Sequence, residues 1–190
     1  MESSHSVQAQ KVLLRNELRR KREALGRGEC KRRSEEIIRQ LLAHPRFKSA
    51  HTILAYVATG REVETRPFLE EALRGGKKVY LPRVIDTLQK EFAAVEMKSL
   101  DELRPGSYGI LEPPAGPERR ARPDNLDLVV VPGAGFDRAG GRLGRGEGYF
   151  DRFLEKAKQA YKIGLAYECQ MVDEVPREAN DMRVNEVLIG

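Results

Sequence analysis

Leu14 and Leu18 stand four residues apart, Leu25 falls further along the same stripe, and Lys11 and Arg15 keep a four-residue spacing of their own. This pattern predicts a helix over 11–25 that docks its apolar side while two cations emerge together. Ile37, Ile38, Leu41 and Leu42 give a second helix, over 31–43, stopped at His44-Pro45. The pattern then changes. TILAYVA (52–58), KVYLPRV (78–84), EFAAVEM (91–97), YKIGLAYE (161–168) and VNEVLIG (184–190) are short apolar runs that read as strands. LDLVVVPG (126–133) is continuously apolar instead of alternating, as expected of a strand buried on both faces. TRPFLEEALRG (65–75) and YFDRFLEKAKQA (149–160) read as helices, the first tolerating Pro67 in its opening turn after a Thr65 cap. Alternating strands and helices predict one α/β domain over 1–190, three layers deep, with a mixed, largely parallel central sheet flanked by helices. PPAGPERRARPDN (113–125) is too rich in Pro, Gly and charge for regular structure and predicts a flexible loop.

The candidate chemistry sits after the most apolar strand. GGRLGRGEGYFDR (140–152) is a glycine-rich turn with two arginines that runs into a helix carrying Tyr149 and Asp151 in its first turn. Glycines let main-chain N–H groups converge on an anion, and a helix start adds unpaired N–H groups and a positive dipole end. The turn lacks the Lys-Ser/Thr ending of the nucleotide-triphosphate loop, and its spacing is not the dinucleotide fingerprint. A solvated glycine–arginine turn is the competing reading, and Asp137, Asp151 and Tyr149 weigh against it by crowding polar groups around the strand exit.

Composition narrows the classes. The chain has 190 residues, 40% of them apolar, enough to bury a sizeable core in one domain. No apolar run approaches membrane-spanning length and MESSHSVQAQKVLLR has no signal-type segment, so a cytoplasmic location is the expectation. Cys30 and Cys169 make no disulfide scaffold, and His5, His44 and His51 make no metal cluster. The net charge of +5 is concentrated early: residues 11–48 hold 13 Lys/Arg against 5 Glu. Such a basic face suits RNA, a lipid surface or a small polyanion, or is simply solvated.

Seven islands together carry a resemblance. Lys11 and Arg15, REVET (61–65), YLPRV (80–84), YGILEP (108–113), VVPGAGFD (130–137), GRLGRGEGYFDR (141–152) and NDMRVNEVL (180–188) occur in the order used by the 5-formyltetrahydrofolate cyclo-ligase family, also called methenyltetrahydrofolate synthetases, which the chain resembles almost end to end. The resemblance implies a monomeric enzyme, dependent on ATP and Mg2+, that converts 5-formyltetrahydrofolate to 5,10-methenyltetrahydrofolate with release of ADP and phosphate. In the family's chemistry the formyl oxygen takes the terminal phosphoryl group, and folate N10 then closes the ring as phosphate leaves. A related enzyme with the same ATP site and another substrate is the alternative. The basic face then needs no nucleic acid or membrane partner.

The same resemblance assigns roles. It places Gly144, Arg145, Gly146, Gly148 and Tyr149 in the ATP loop, with Arg145 and Tyr149 catalytic, and brings Lys11, Arg15 and Asp181 to ATP. Asp151 and Asp181 are the implied magnesium carboxylates, although Asp151 could equally stabilise a helix start and Asp181 cap a turn. Glu64 is the implied folate anchor, a carboxylate suited to the N–H edge of a pterin. Tyr56, Phe136 and Tyr149 are candidate walls for the folate, core packing being the alternative for the first two. Arg142 either shapes the loop or touches phosphate. Glu147 either points away, pairs with a cation or helps position magnesium. Phe150 stands where the family often has Tyr, and Asn185 where some relatives are acidic; both put the detail of folate binding in doubt.

Overall fold

A computed structural model describes residues 2–190; the side chain of His5 lies outside the described residues. The chain runs α1 (Glu2–Ala24), α2 (Arg27–Ala43), α3 (Pro45–Ser49), β1 (Thr52–Leu54), α4 (Arg66–Arg74), β2 (Lys78–Asp86), β3 (Glu91–Met97), β4 (Arg104–Pro105), β5 (Leu111–Glu112), β6 (Leu128–Val131), β7 (Gly135–Asp137), β8 (Arg142–Leu143), α5 (Tyr149–Lys156), β9 (Tyr161–Ala166), β10 (Met171–Val172) and β11 (Glu186–Ile189). The main sheet has the order β11-β9-β6-β1-β2-β3, parallel throughout except for β3 against β2. This is the mixed, largely parallel α/β sheet that the alternation predicts.

Helices cover both faces. Ile37, Ile38 and Leu41 of α2 and Phe68 and Leu69 of α4 pack on Ile53, Val79, Leu128, Val130 and Ile163. Phe153 and Leu154 of α5 pack on the opposite face, with Leu54, Val129 and Val131. Successive residues of β6 therefore enter different cores, which is why its sequence is apolar without a break. Each such buried side chain contributes about 1.5–3 kcal/mol.

Strand order fixes where a ligand can enter. The chain lays β2 on one side of β1 and later β6 on the other, so the order reverses at the β1/β6 boundary. A crevice opens beyond the C-terminal ends of parallel strands at such a point. β1 stops at Leu54, shorter than TILAYVA suggested: Ala55 still donates to the Tyr80 carbonyl, at 3.0 Å, and the chain then leaves the sheet to border this crevice. Thr65 does precede α4, but its hydroxyl donates to the Tyr56 carbonyl at 2.6 Å and accepts from Ala58 N, pinning that departing segment instead of capping the helix. α5 ends at Lys156, before the expected Ala160, because Ala157 leaves helical geometry at φ −92°, ψ 58°. Segment 113–125 contains two 3-10 turns and is tied to β3 by Ala121 N to Ala94 O, 2.9 Å, and Val95–Arg120 bridge pairing.

A second, three-stranded sheet, β10-β7-β8, lies at the C-terminal edge, and α1 packs on it through Leu18 against Leu143 and Val175. Asp137 organises its hairpin: one carboxylate oxygen accepts from Ala139 N and Gly141 N, the other from Val175 N, all within 2.7–2.9 Å. The polar crowding that Asp137 suggested in the sequence is thus architectural. Gly140 sits in this turn at φ 80°, and a Cβ there would meet the Val184 carbonyl. Gly140→Ala therefore combines left-handed strain with a backbone obstruction, and denaturant unfolding is expected to show a loss of at least about 2 kcal/mol.

Candidate active site

The crevice is a cleft of about 330 Å3 with an apolar end and a charged end. Tyr56 and Val57 beyond β1, Pro82 and Val84 of β2 and Phe92 of β3 form one wall; Tyr149 and Phe150 at the start of α5 form another. The β4–β5 hairpin closes it with Tyr108 and Ile110. Its base is fixed by the buried Glu112, which accepts from Val84 N and Ser107 N, both at 3.3 Å. Phe150 packs on Phe92 with centroids 5.1 Å apart and presents an apolar ring to the cleft.

The charged end is lined by Arg142, Arg145, Glu147 and Asp151, and α1 and the segment before β11 are joined to it from outside, by Arg15 on the Gly144 carbonyl and Met182 N on Asp151. Lys11, only 4% exposed, donates to Asp181 at 2.5 Å and Glu178 at 2.8 Å. Arg15 donates from Nε to the Gly144 carbonyl at 2.8 Å. Gly146, at φ 112°, lets the loop cross the Arg15 guanidinium. Burial lowers the Arg15 pKa from its ordinary value, against the opposing pull of Asp181 and with added repulsion from Arg142. A semi-buried cation beside another cation is an environment that an anion relieves. The buried Arg142 donates to the Pro132 carbonyl at 3.0 Å and pairs with Asp151 at 2.7 Å, while its Nε has no partner among the described residues. It holds the loop and faces the cleft together.

Arg145 lines the cleft and is turned onto Glu62: Nε donates to Oε1 at 3.1 Å, Nη2 closes on the same oxygen, and Nη2 also donates to the Thr59 hydroxyl at 2.8 Å. Glu147 lines the cleft and pairs with Lys90 of the β2–β3 turn at 2.5 Å, the second of the three alternatives for it. Tyr149 meets Tyr108 hydroxyl to hydroxyl at 3.1 Å, with Tyr108 held at φ 59°. That hydrogen bond is the main reason the Tyr149 phenol is pushed up to about 12. A raised acid pKa favours the neutral folded state below the ordinary value of 10, and the benefit is lost as pH climbs from there through about 12. Ring resonances in a pH titration should show Tyr149 ionising near 12, and Tyr108→Phe should return it toward 10.

Two expected substrate contacts are not brought here. Phe136 is fully buried, packed where Gly133 and Gly164 leave room for its ring, so it belongs to the core and not to the cleft wall. Glu64 is exposed on the α2 side, in a separate groove, where it accepts from Arg66 N at 3.0 Å. Glu62 borders the same groove, but the Thr59–Glu62 turn curls its side chain back onto Thr59 N at 3.0 Å, and its other oxygen accepts from Arg145, which lines the cleft. Asn185 holds β9 by accepting from Lys162 N at 2.8 Å. Glu62, Glu178 and Tyr108 are the residues at this site that sequence reasoning missed; the Thr-Gly-x-Glu turn was the available signal for the first.

The fit of a magnesium ion rests on Asp151 and Asp181. Asp151 Oδ1 is taken by Arg142 and Met182 N, and Asp181 Oδ2 by Lys11 and Glu178 N; the second oxygen of each has no protein partner among the described residues. No group of three or more His, Cys, Asp or Glu side chains able to hold a metal occurs among the described residues. Such a donor set suits an ion that brings phosphate and water ligands with it. No helix among the described residues is long and apolar enough to cross a membrane.

Comparison with known proteins bears on this arrangement. The family model described as the 5-formyltetrahydrofolate cyclo-ligase family matches residues 7–190. The mouse 5-formyltetrahydrofolate cyclo-ligase is 32% identical over 193 residues, covering 96% of this chain and 95% of its own length. The Escherichia coli K12 protein of the same name is 29% identical, covering 87% and 92%. The solved 5,10-methenyltetrahydrofolate synthetase of Aquifex aeolicus superposes with a TM-score of 0.84 at 35% identity, covering 94% of this chain and 89% of its own. That of Mycoplasma pneumoniae does so with 0.75 at 25%, covering 94% and 97%. The chain belongs to the 5-formyltetrahydrofolate cyclo-ligase family.

Proposed function

We propose that this protein converts 5-formyltetrahydrofolate to 5,10-methenyltetrahydrofolate at the expense of ATP, through a phosphorylated formyl group. The observation that carries the reading is the meeting, at the switch point of the sheet, of an apolar aromatic slot with a glycine loop that carries Arg145 and is held by Arg15. A folate is a flat, largely apolar ring system and ATP a polyanion, and the two ends of the cleft match them in that order.

The aromatic slot takes the folate rings between Val84 and Phe92 on one side and Tyr108 and Tyr149 on the other. We assign the pterin N–H edge to Glu62, whose carboxylate is held by the cleft residue Arg145, in place of Glu64. The triphosphate lies along the 144–148 loop and the start of α5, with Lys11 and Arg15 neutralising charge from below. Asp151 and Asp181 would hold Mg2+, which supplies neutralisation of the phosphate oxygens. The formamide is a poor electrophile. Its oxygen attacks the terminal phosphorus, the bond to ADP breaks, and the new carbon–oxygen–phosphate linkage leaves an iminium carbon. Folate N10 attacks that carbon and loses its proton, and phosphate departs carrying the former formyl oxygen. Arg145 stabilises charge on the moving phosphoryl group, and Tyr108 and Tyr149 keep water from the activated carbon.

The test follows the oxygen. With the formyl oxygen isotopically labelled, the reading predicts that the label appears in the released phosphate. Label retained in the folate, or lost to water with unlabelled phosphate formed, would contradict the phosphorylated intermediate.

A further inference from the structure

Glu62 and Arg145 satisfy one another in a way that each substrate must undo. Glu62 is 9% exposed, and its two carboxylate oxygens are not equivalent. Oε2 accepts from Thr59 N at 3.0 Å and from the Thr59 hydroxyl at 3.2 Å, contacts made within one turn of chain. Among the described residues Oε1 is held by Arg145 alone, through Nε at 3.1 Å and through Nη2. A ligand donor can therefore gain Oε1 without unwinding the turn only by displacing the guanidinium. Arg145 is free to move: its side chain is 46% exposed and it lies between Gly144 and Gly146, the loop that rests on Arg15. Released from Glu62, it carries an unneutralised charge on the loop that faces the phosphates. Pulled away by a phosphate, it leaves a nearly buried carboxylate oxygen without a donor, which a ligand N–H edge can supply.

We infer that Glu62 and Arg145 act as an exchange pair that couples the two substrates, so that binding of the folate strengthens binding of ATP and binding of ATP strengthens binding of the folate. This rests on the assignment of the slot to folate and of the loop to ATP made above. The pairing satisfies each group with the other and hands each to its ligand when either arrives. Because the coupling is a property of one equilibrium, the factor must be the same in both directions.

Calorimetric titration tests it. A nonhydrolysable ATP analogue with Mg2+ is titrated into the protein alone and into protein saturated with 5-formyltetrahydrofolate, and the folate is titrated with and without the analogue. The expected result is about a tenfold gain in affinity in each direction, equal within error. Arg145→Met removes the exchanged group, so the folate should bind at least as tightly as to the wild type alone while the coupling falls below about twofold. Arg145→Lys, which keeps the charge and loses the two-point contact on Oε1, should retain only part of it. Two ligands that bind the wild type independently, within about twofold, overturn the exchange pair and leave the function standing; so does antagonism between them. Absence of saturable folate binding overturns the function, and the exchange pair with it.

Discussion

Arg145→Ala is expected to lower the rate of phosphoryl transfer roughly 10²-fold or more, the usual effect of removing one preorganised group aimed at developing charge. Arg145 lines the cleft on the glycine loop, between the slot and the Lys11–Arg15 face of α1. Its partner is Glu62, whose side chain is 6% exposed while that of Arg145 is 46% exposed. Solvent screens the arginine end of that pair, and Thr59 continues to satisfy the other carboxylate oxygen, so loss of the pair should cost only about 1 kcal/mol of stability. ADP release and methenyltetrahydrofolate formation, measured side by side at saturating substrates, should fall together. Unchanged rates for both in a folded variant would remove Arg145 from the chemistry; a fall in product with ADP release unchanged would move its action to ring closure.

Phe136→Ala is expected to destabilise the protein by about 3–5 kcal/mol, the range for deleting a buried aromatic ring. At this chain length that lowers Tm by on the order of 10 °C. The ring fills the space left by Gly133 and Gly164 and is fully buried, between the small sheet that carries α1 and the main sheet at β9. A residue that walled the substrate slot would instead show a raised KM at nearly unchanged stability, and thermal unfolding with steady-state kinetics on the same variant separates the two.

These two residues also show what a sequence exposes. The glycine loop that carries Arg145 was legible because it follows a strand whose apolar run is unbroken, and β6 is unbroken because its side chains feed two cores; the choice of Arg145 within the loop came from the family resemblance. The assignment of Lys11 and Arg15 to ATP came from that resemblance too, and only their sharing of one helix face was legible from periodicity. Phe136 was not: β7 and β8 have three and two residues, too few to display a period, so the small sheet that buries the ring left no trace in the pattern. Glu62 and Glu64 stand two residues apart and look interchangeable as letters; the curl of the Thr59–Glu62 turn separates them. Glu178 lies 167 residues from Lys11 in an irregular segment, and only the fold brings it to the charge it neutralises. The role of Glu147 likewise depends on Lys90, 57 residues away on a turn between two strands.

The central claim is that this cleft joins folate activation to ATP cleavage. The most direct test mixes purified protein with 5-formyltetrahydrofolate and magnesium-ATP and follows 5,10-methenyltetrahydrofolate and ADP in the same sample. The account predicts equal amounts of the two products, neither appearing when the other substrate is withheld. ADP formed without folate turnover, or no methenyltetrahydrofolate from fresh substrates, would contradict it.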